Sequence, residues 1–160
     1  MFIKRCTVTT AKHKRAEFIL PGFTKTAALT IKEADLDPDM FYVKVRAVTA
    51  GVPNNNGDFF SVDELRHAYK TFENRGVFVN HESDNVESAR GKILSADLID
   101  QDPNDVHVVL ALAIDQKAFP QLVNAIKKGY VTDVSMGATV KYSLCSICGN
   151  KASNEGEYCQ

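Results

Sequence analysis

Two short motifs in this 160-residue chain stand out as candidates for covalent or metal chemistry: a serine in "DVSMG" (133–137) and the cysteines of "CSIC" (145–148). Ser135 lies in an apolar run that reads as a β-strand, with Gly137 two residues on. A serine hydroxyl becomes a nucleophile only when a base of near-neutral pKa takes its proton, and histidine fits that task. The candidates are His13, His67, His81 and His107. His67 falls on an amphipathic helix and His107 on a strand, so both have structural explanations. His81 ends a short strand and opens the polar loop "NHESDNVESARG" (80–91), and loops on rigid scaffolds are where catalytic groups gather. The nucleophile elbow G-x-S-x-G is absent, because Asp133 stands two residues before the serine. By residue type alone, a strand serine is usually structural and a lone histidine usually a surface or capping residue. Gly137 adds weight to the catalytic alternative, since a missing side chain lets a substrate backbone approach and leaves nearby N–H groups for an oxyanion.

The cysteines stand at 6, 145, 148 and 159, too few and too clustered for a disulfide framework. "CSICGN" is a knuckle sequence: C-x-x-C followed by Gly149 aims two thiolates at one tetrahedral metal. Cys159 supplies a third ligand, and no fourth follows before Gln160. A structural zinc is the expected occupant. A redox C-x-x-C is the lesser alternative, because no thioredoxin-like βαβ pattern surrounds it. Thiols used this way point to a reducing compartment, the cytoplasm.

These groups need elements to hold them. "MFYVKVRAVTA" (40–50) alternates, Val43, Val45 and Ala47 facing one way and Lys44 and Arg46 the other, as in a half-buried strand. "VFVN" (77–80), "GKILSADLI" (91–99), "DVHVVLALAID" (105–115) and the run 131–143 carrying Ser135 read as further strands. Residues 1–9 alternate loosely and are expected to form another, with residues 1–39 partly mobile. "SVDELRHAYKTFENRG" (61–76) is the clearest helix: Ser61 and Glu64 make an S-x-x-E capping box, Leu65, Ala68, Tyr69 and Phe72 one apolar face, and Gly76 the stop. A second helix covers roughly 119–128, with Pro120 in its first turn and Gly129 ending it. "GVPNNNGDFF" (51–60) is turn-forming, its asparagines either a connector or the lining of a cleft. Strands joined by short turns pair antiparallel, so the expected class is α+β with a curled sheet or small barrel flanked by helices.

Composition excludes some function classes. With 44% hydrophobic and 24% charged residues and a net charge of −1, the chain reads as a globular protein. That balance gives no long-range pull on nucleic acid, and the one basic cluster, Lys12–His13–Lys14–Arg15, has a bland reading as a solvated tail. No apolar run approaches a membrane span, and the start lacks the apolar core of a secretory signal.

Four blocks, "VPNNNGDFFSVDELRHAYKTF", "FVNHESDNVESARGKILSADL", "AFPQLVNAIKKGYVTDVSMGATV" and "CSICGNKA…EYC", resemble in content and order the prohead (capsid maturation) serine proteases of tailed bacteriophages, which are related to herpesvirus assemblins. The resemblance runs from about residue 40 to the end and is most specific in "VSMG" and "CSICGN". It implies an antiparallel β-barrel wrapped by helices, a protease domain over 1–144 and a cysteine knuckle over 145–160. It implies Ser135 as nucleophile, His81 as general base and the N–H groups of Met136 and Gly137 as oxyanion hole. The implied substrates are the scaffold protein, the major capsid protein and the protease itself, inside the prohead in the host cytoplasm, with self-association. The residue that orients the base does not map securely. The resemblance implies, from many relatives, a position on a strand after the cysteines, so the chain is expected to be a fragment, with Glu155, Glu157 or His107 as weak substitutes. The alternative from another class is a non-enzymatic zinc-knuckle assembly or binding module on the same fold.

Overall fold

The computed structural model describes residues 18–19, 37–54 and 57–159. The strand expected over 1–9, the basic cluster 12–15, Cys6 and most of the segment expected to be mobile lie outside the described residues. The alternating run becomes β2, Met40–Thr49, which buries Phe41, Val43 and Val45. It pairs antiparallel with β5, His107–Asp115, in turn paired antiparallel with β4, Ala89–Ile99. Two short strands flank these, β1 (Phe18–Ile19) beside β2 and β3 (Gly76–Phe78) beside β4. The five-stranded ladder runs β1-β2-β5-β4-β3, every pairing antiparallel. The class is α+β, as the turn spacing implies.

One face of the sheet carries the core. Val45, Leu110 and Ala96 lie across the three long strands, with Val43, Leu112 and Ile93 in the next row. Helix α1, Val62–Ala68, adds Leu65, and α2, Pro120–Lys127, adds Val123 and Ile126. Each such side chain taken fully from water contributes about 1.5–3 kcal/mol before entropy is counted. Two bulges adjust this pattern. Register shifts between Arg46 and Val48, so Val48 rather than Ala47 faces Val108, and again between Ile93 and Ser95. Each bulge bends its strand and increases the twist. Ala111 and Ala113 are buried on the second face, in line with their small size.

Both helices start as the sequence implies. The Ser61 hydroxyl accepts from the Glu64 N–H while the Glu64 carboxylate accepts from the Ser61 N–H. Pro120 opens α2, and Gly129 at φ +71 closes it. The Gly129 N–H bonds the Ile126 carbonyl and the Tyr130 N–H bonds that of Ala125, a Schellman arrangement.

Two expectations fail. The first helix does not run to Gly76: α1 tightens into a 3-10 turn over Tyr69–Phe72, Asn74 takes the left-handed conformation at φ 64, and Gly76 begins β3. Asparagine tolerates that region through local hydrogen bonding, and the chain must turn there to reach β4. The run 131–143 is not a strand of the sheet. Only Ser143–Leu144 (β6) is paired, with Lys151–Ala152 (β7), in a separate two-stranded ladder.

Candidate functional site

His81 follows β3 at the end where Phe78 pairs with Ala89, the first residue of β4. Asn80 at φ 57 and His81 at φ 59 are both left-handed. Two consecutive non-glycine residues in that region are uncommon, and held backbone strain of this kind gathers at functional sites. The turn leaves His81 exposed at the head of the acidic loop containing Glu82, Asp84 and Glu87. Asn85 caps the short 3-10 turn Val86–Ser88, its side chain accepting from the Glu87 N–H, and so fixes the loop's return to β4.

Ser135 lies between Val134 and Met136, both half-buried, in an unpaired stretch running from the end of α2 to β6. Val131 and Val134 pack against the core and anchor the stretch. Ser135 and Gly137 alternate outward and are exposed, and a Cβ placed on Gly137 would meet nothing within 4 Å. Among the described residues the N–H groups of Met136 and Gly137 carry no hydrogen bond, so they are available donors. The side chains of His81 and Ser135 make no hydrogen bond to one another or to any other described residue. Both are thus reachable and unengaged, and the structure does not join them.

The substitutes for an orienting residue fare poorly. His107 pairs with Ile99 at the far end of β4. His81 lies past the near end, so the length of β4, roughly 30 Å at about 3.3 Å per residue, separates them. The His107 ring is engaged where it stands, Nδ1 lying 2.6 Å from the Asp105 carbonyl. Glu157 is spent on the knuckle, accepting from the Ser153 N–H and the Asn154 amide at 2.7 Å each. The side chain of Glu155 lies outside the described residues. His67 is tied to its own helix, Nδ1 2.7 Å from the Asp63 carbonyl. In the asparagine loop, Asn54 and Asp58 close a turn on each other, while Asn55 and Asn56 lie outside the described residues.

The cysteines are brought together. Cys145, Cys148 and Cys159 place their sulfurs within 4.8 Å of one another. The β6–β7 hairpin does this: the Cys145 N–H bonds the Asn150 carbonyl, the Gly149 N–H bonds the Cys145 carbonyl, and Gly149 takes φ +73. A 3-10 turn over Glu155–Glu157 then returns the chain so that Cys159 faces the pair. N–H groups of Cys148 and Ile147 aimed at the Cys145 sulfur, helped by the Cys159 thiol, lower its pKa to about 7. Cys159, donating to Cys145 and Cys148, is pushed up to about 11. Thiolates around a tetrahedral zinc lie roughly 3.8 Å apart, given Zn–S bonds of about 2.3 Å. Sulfurs within 4.8 Å of one another are near that spacing, and three soft donors, one with its pKa lowered toward neutrality, suit a thiophilic metal ion. Ala152 of β7 is buried and is not among the side chains of the main core cluster.

Sequence reading missed Asn80, whose left-handed turn orients His81. The available signal was two adjacent residues, Asn and His, both enriched in that conformation. It also missed Arg46, which reaches Asp105 across the sheet and Thr49 along its own strand. Comparisons with protein-family models, curated proteins and solved structures find no match for this chain. No helix among the described residues is long and apolar enough to cross a membrane.

Proposed function

We propose that this protein is a serine endopeptidase of phage head maturation, with Ser135 as nucleophile and His81 as general base. The observation that carries the reading is the paired left-handed turn at Asn80 and His81, which holds an unengaged imidazole at the end of the sheet. The unbonded Met136 and Gly137 N–H groups beside an exposed Ser135 support it, as does the four-block resemblance. In the reaction, His81 takes the hydroxyl proton as Ser135 attacks the peptide carbonyl. The two N–H groups stabilise the oxyanion, and the imidazolium then protonates the leaving amine. Closure of His81 onto Ser135 accompanies substrate binding, since catalytic hydrogen bonds commonly tighten only in the complex. The barrel-like curl is part of this proposal, and the bulges at Ala47 and Leu94 support it. So are the substrates, scaffold and major capsid protein, self-cleavage and self-association, and the setting inside the prohead in the host cytoplasm. One zinc on Cys145, Cys148 and Cys159 completes the knuckle as a structural support.

A fluorophosphonate probe tests the assignment. Ser135 is expected to be labelled, Ser135→Ala to abolish labelling and scaffold cleavage, and His81→Ala to slow labelling at least 100-fold. Because Ser135 is exposed, its replacement should change stability by less than about 1 kcal/mol. Labelling at Ser135 that is indifferent to His81→Ala would remove the base from the mechanism. Absence of labelling and of cleavage would favour the second reading, a non-enzymatic assembly module, for which the three convergent thiols are the specific support.

A further inference from the structure

The outer edge of β4 is covered in an unusual way. At its start β3 pairs with it through Gly76–Phe78. The backbone of the preceding turn extends this cover: the Asn74 N–H bonds the Ile93 carbonyl and the Ile93 N–H bonds the Arg75 carbonyl. The bulge between Ile93 and Ser95 then makes Ala96 the next residue whose polar groups face outward. Among the described residues no backbone group bonds to it. Instead the Glu73 carboxylate accepts from the Ala96 N–H at 3.1 Å, and the Lys70 ammonium donates to the Ala96 carbonyl at 2.9 Å. Lys70 and Glu73 are themselves paired at 2.7 Å. The 3-10 winding of Tyr69–Phe72 is what aligns them, because residues three apart eclipse at three residues per turn. Farther along, Arg66 of α1 reaches Asp100, just past the end of β4, at 3.6 Å.

We propose that Lys70 and Glu73 act as a strand surrogate, one acceptor and one donor closing the β4 edge to strand addition by a second copy of this chain. An acceptor facing an N–H and a donor facing a C=O is what a neighbouring strand would present. Unpaired strand edges recruit other chains unless something blocks them, and charged side chains are a common block. The remainder of β4 is fit for pairing, with Leu98 and Ile99 following Ala96 and no Pro or Gly to break the ladder. This inference concerns the sheet edge and does not depend on the protease reading.

Amide hydrogen exchange and sedimentation test it on the whole protein. In Glu73→Ala the Ala96 amide should exchange at least tenfold faster, while the Ile93 amide, bonded to backbone, keeps its protection. Glu73→Gln retains an acceptor and should restore most of the protection at Ala96. Lys70→Met combined with Glu73→Ala should form dimers at concentrations where the unaltered protein forms fewer, with the Ala96 and Leu98 amides protected again in the dimer. Unchanged exchange at Ala96 overturns the proposal, as does a double variant that associates no more than the parent. Loss of protection at Ile93 in Glu73→Ala and Glu73→Gln alike would also overturn it, by showing that the pair holds the sheet together rather than guarding its edge.

Discussion

Gly91 and the carbonyl of Ala113 approach so closely that a Cβ on Gly91 would lie 2.0 Å from the Ala113 oxygen. The contact sits inside the β4–β5 ladder, where Gly91 pairs with Ile114, a residue 2% exposed. Neither side can yield, since the atoms concerned are backbone in the central strand. Gly91→Ala is therefore expected to destabilise the protein by on the order of 3 kcal/mol, the upper range of overpacking. Gly137→Ala, with open space around it, should change stability little. Urea titration of the two variants checks the contrast, and a Gly91→Ala protein as stable as the parent would contradict the packing.

The turn at Asn80 gives a second expectation. A left-handed residue other than glycine carries about 1–2 kcal/mol of strain, less for asparagine. Asn80→Gly should leave stability unchanged or raise it by up to about 1 kcal/mol, and Asn80→Val should lower it by about 1–2 kcal/mol. If the strain serves to hold His81, Asn80→Gly should also slow fluorophosphonate labelling of Ser135. Thermal melts and labelling rates measured on the same samples separate the two effects.

Much of this was legible in the sequence and some was not. The Ser61–Glu64 box, Pro120 and Gly129 were readable because each acts within one turn of chain. Strand β2 was readable because one buried face imposes alternation, and β5 because its large apolar residues alternate with the small Ala111 and Ala113 that fill its second face. The run 131–143 misled for the same reason: Val134, Ser135, Met136 and Gly137 do alternate in burial, but among the described residues no strand pairs with them. Pairing is a property of two segments, and periodicity reports only one. Lys70 and Glu73 were invisible because on a helix they read as an ordinary solvated face. Their partner is a backbone group 26 residues from Lys70.

Metal removal should act locally. With zinc bound to Cys145, Cys148 and Cys159, chelation is expected to expose the Cys145 and Gly149 amides to exchange while leaving Val45 and Ile93 protected. The knuckle's buried Ala152 does not belong to the sheet's core cluster. Metal analysis should give about one zinc per chain and Cys148→Ser markedly less. Chelation that unfolds the sheet as well would show the knuckle and the sheet to be coupled.

Acid stability should carry the mark of Glu73. Its hydrogen bond from Lys70, then that from the Ala96 N–H, hold its pKa below the ordinary 4.5. A carboxyl depressed in the folded state contributes stability above its unfolded value and loses it as pH falls through the folded one. Lys70, raised above 10.5 chiefly by the same bond, contributes below that value and loses its share only as pH rises past it. Glu73→Gln should thus flatten stability against pH below about pH 4.5, while Lys70→Met should act mainly by weakening Glu73's shift. Urea midpoints between pH 2 and 6, taken as ~1-unit steps, read this directly. An unchanged acid limb in Glu73→Gln would reject the assignment.

The strand order β1-β2-β5-β4-β3 also dictates a sequence of events in time. β4 and β5 are joined by a short turn, so their hairpin closes a small loop at small entropic cost. β2 must find β5 from far away, as Arg46 and Asp105, 59 residues apart, illustrate. The hairpin is therefore expected to form early and β2 to dock late, over a larger closure barrier. Substitutions breaking the Arg46–Asp105 bridge should mainly speed unfolding, while those at Leu98, which faces β5, should slow folding, a difference stopped-flow chevrons resolve. Equal effects on both limbs at both sites would refute that order. During synthesis β2 emerges before β5 and waits for it, its apolar face of Phe41, Val43 and Val45 left without that neighbour while the intervening chain is made.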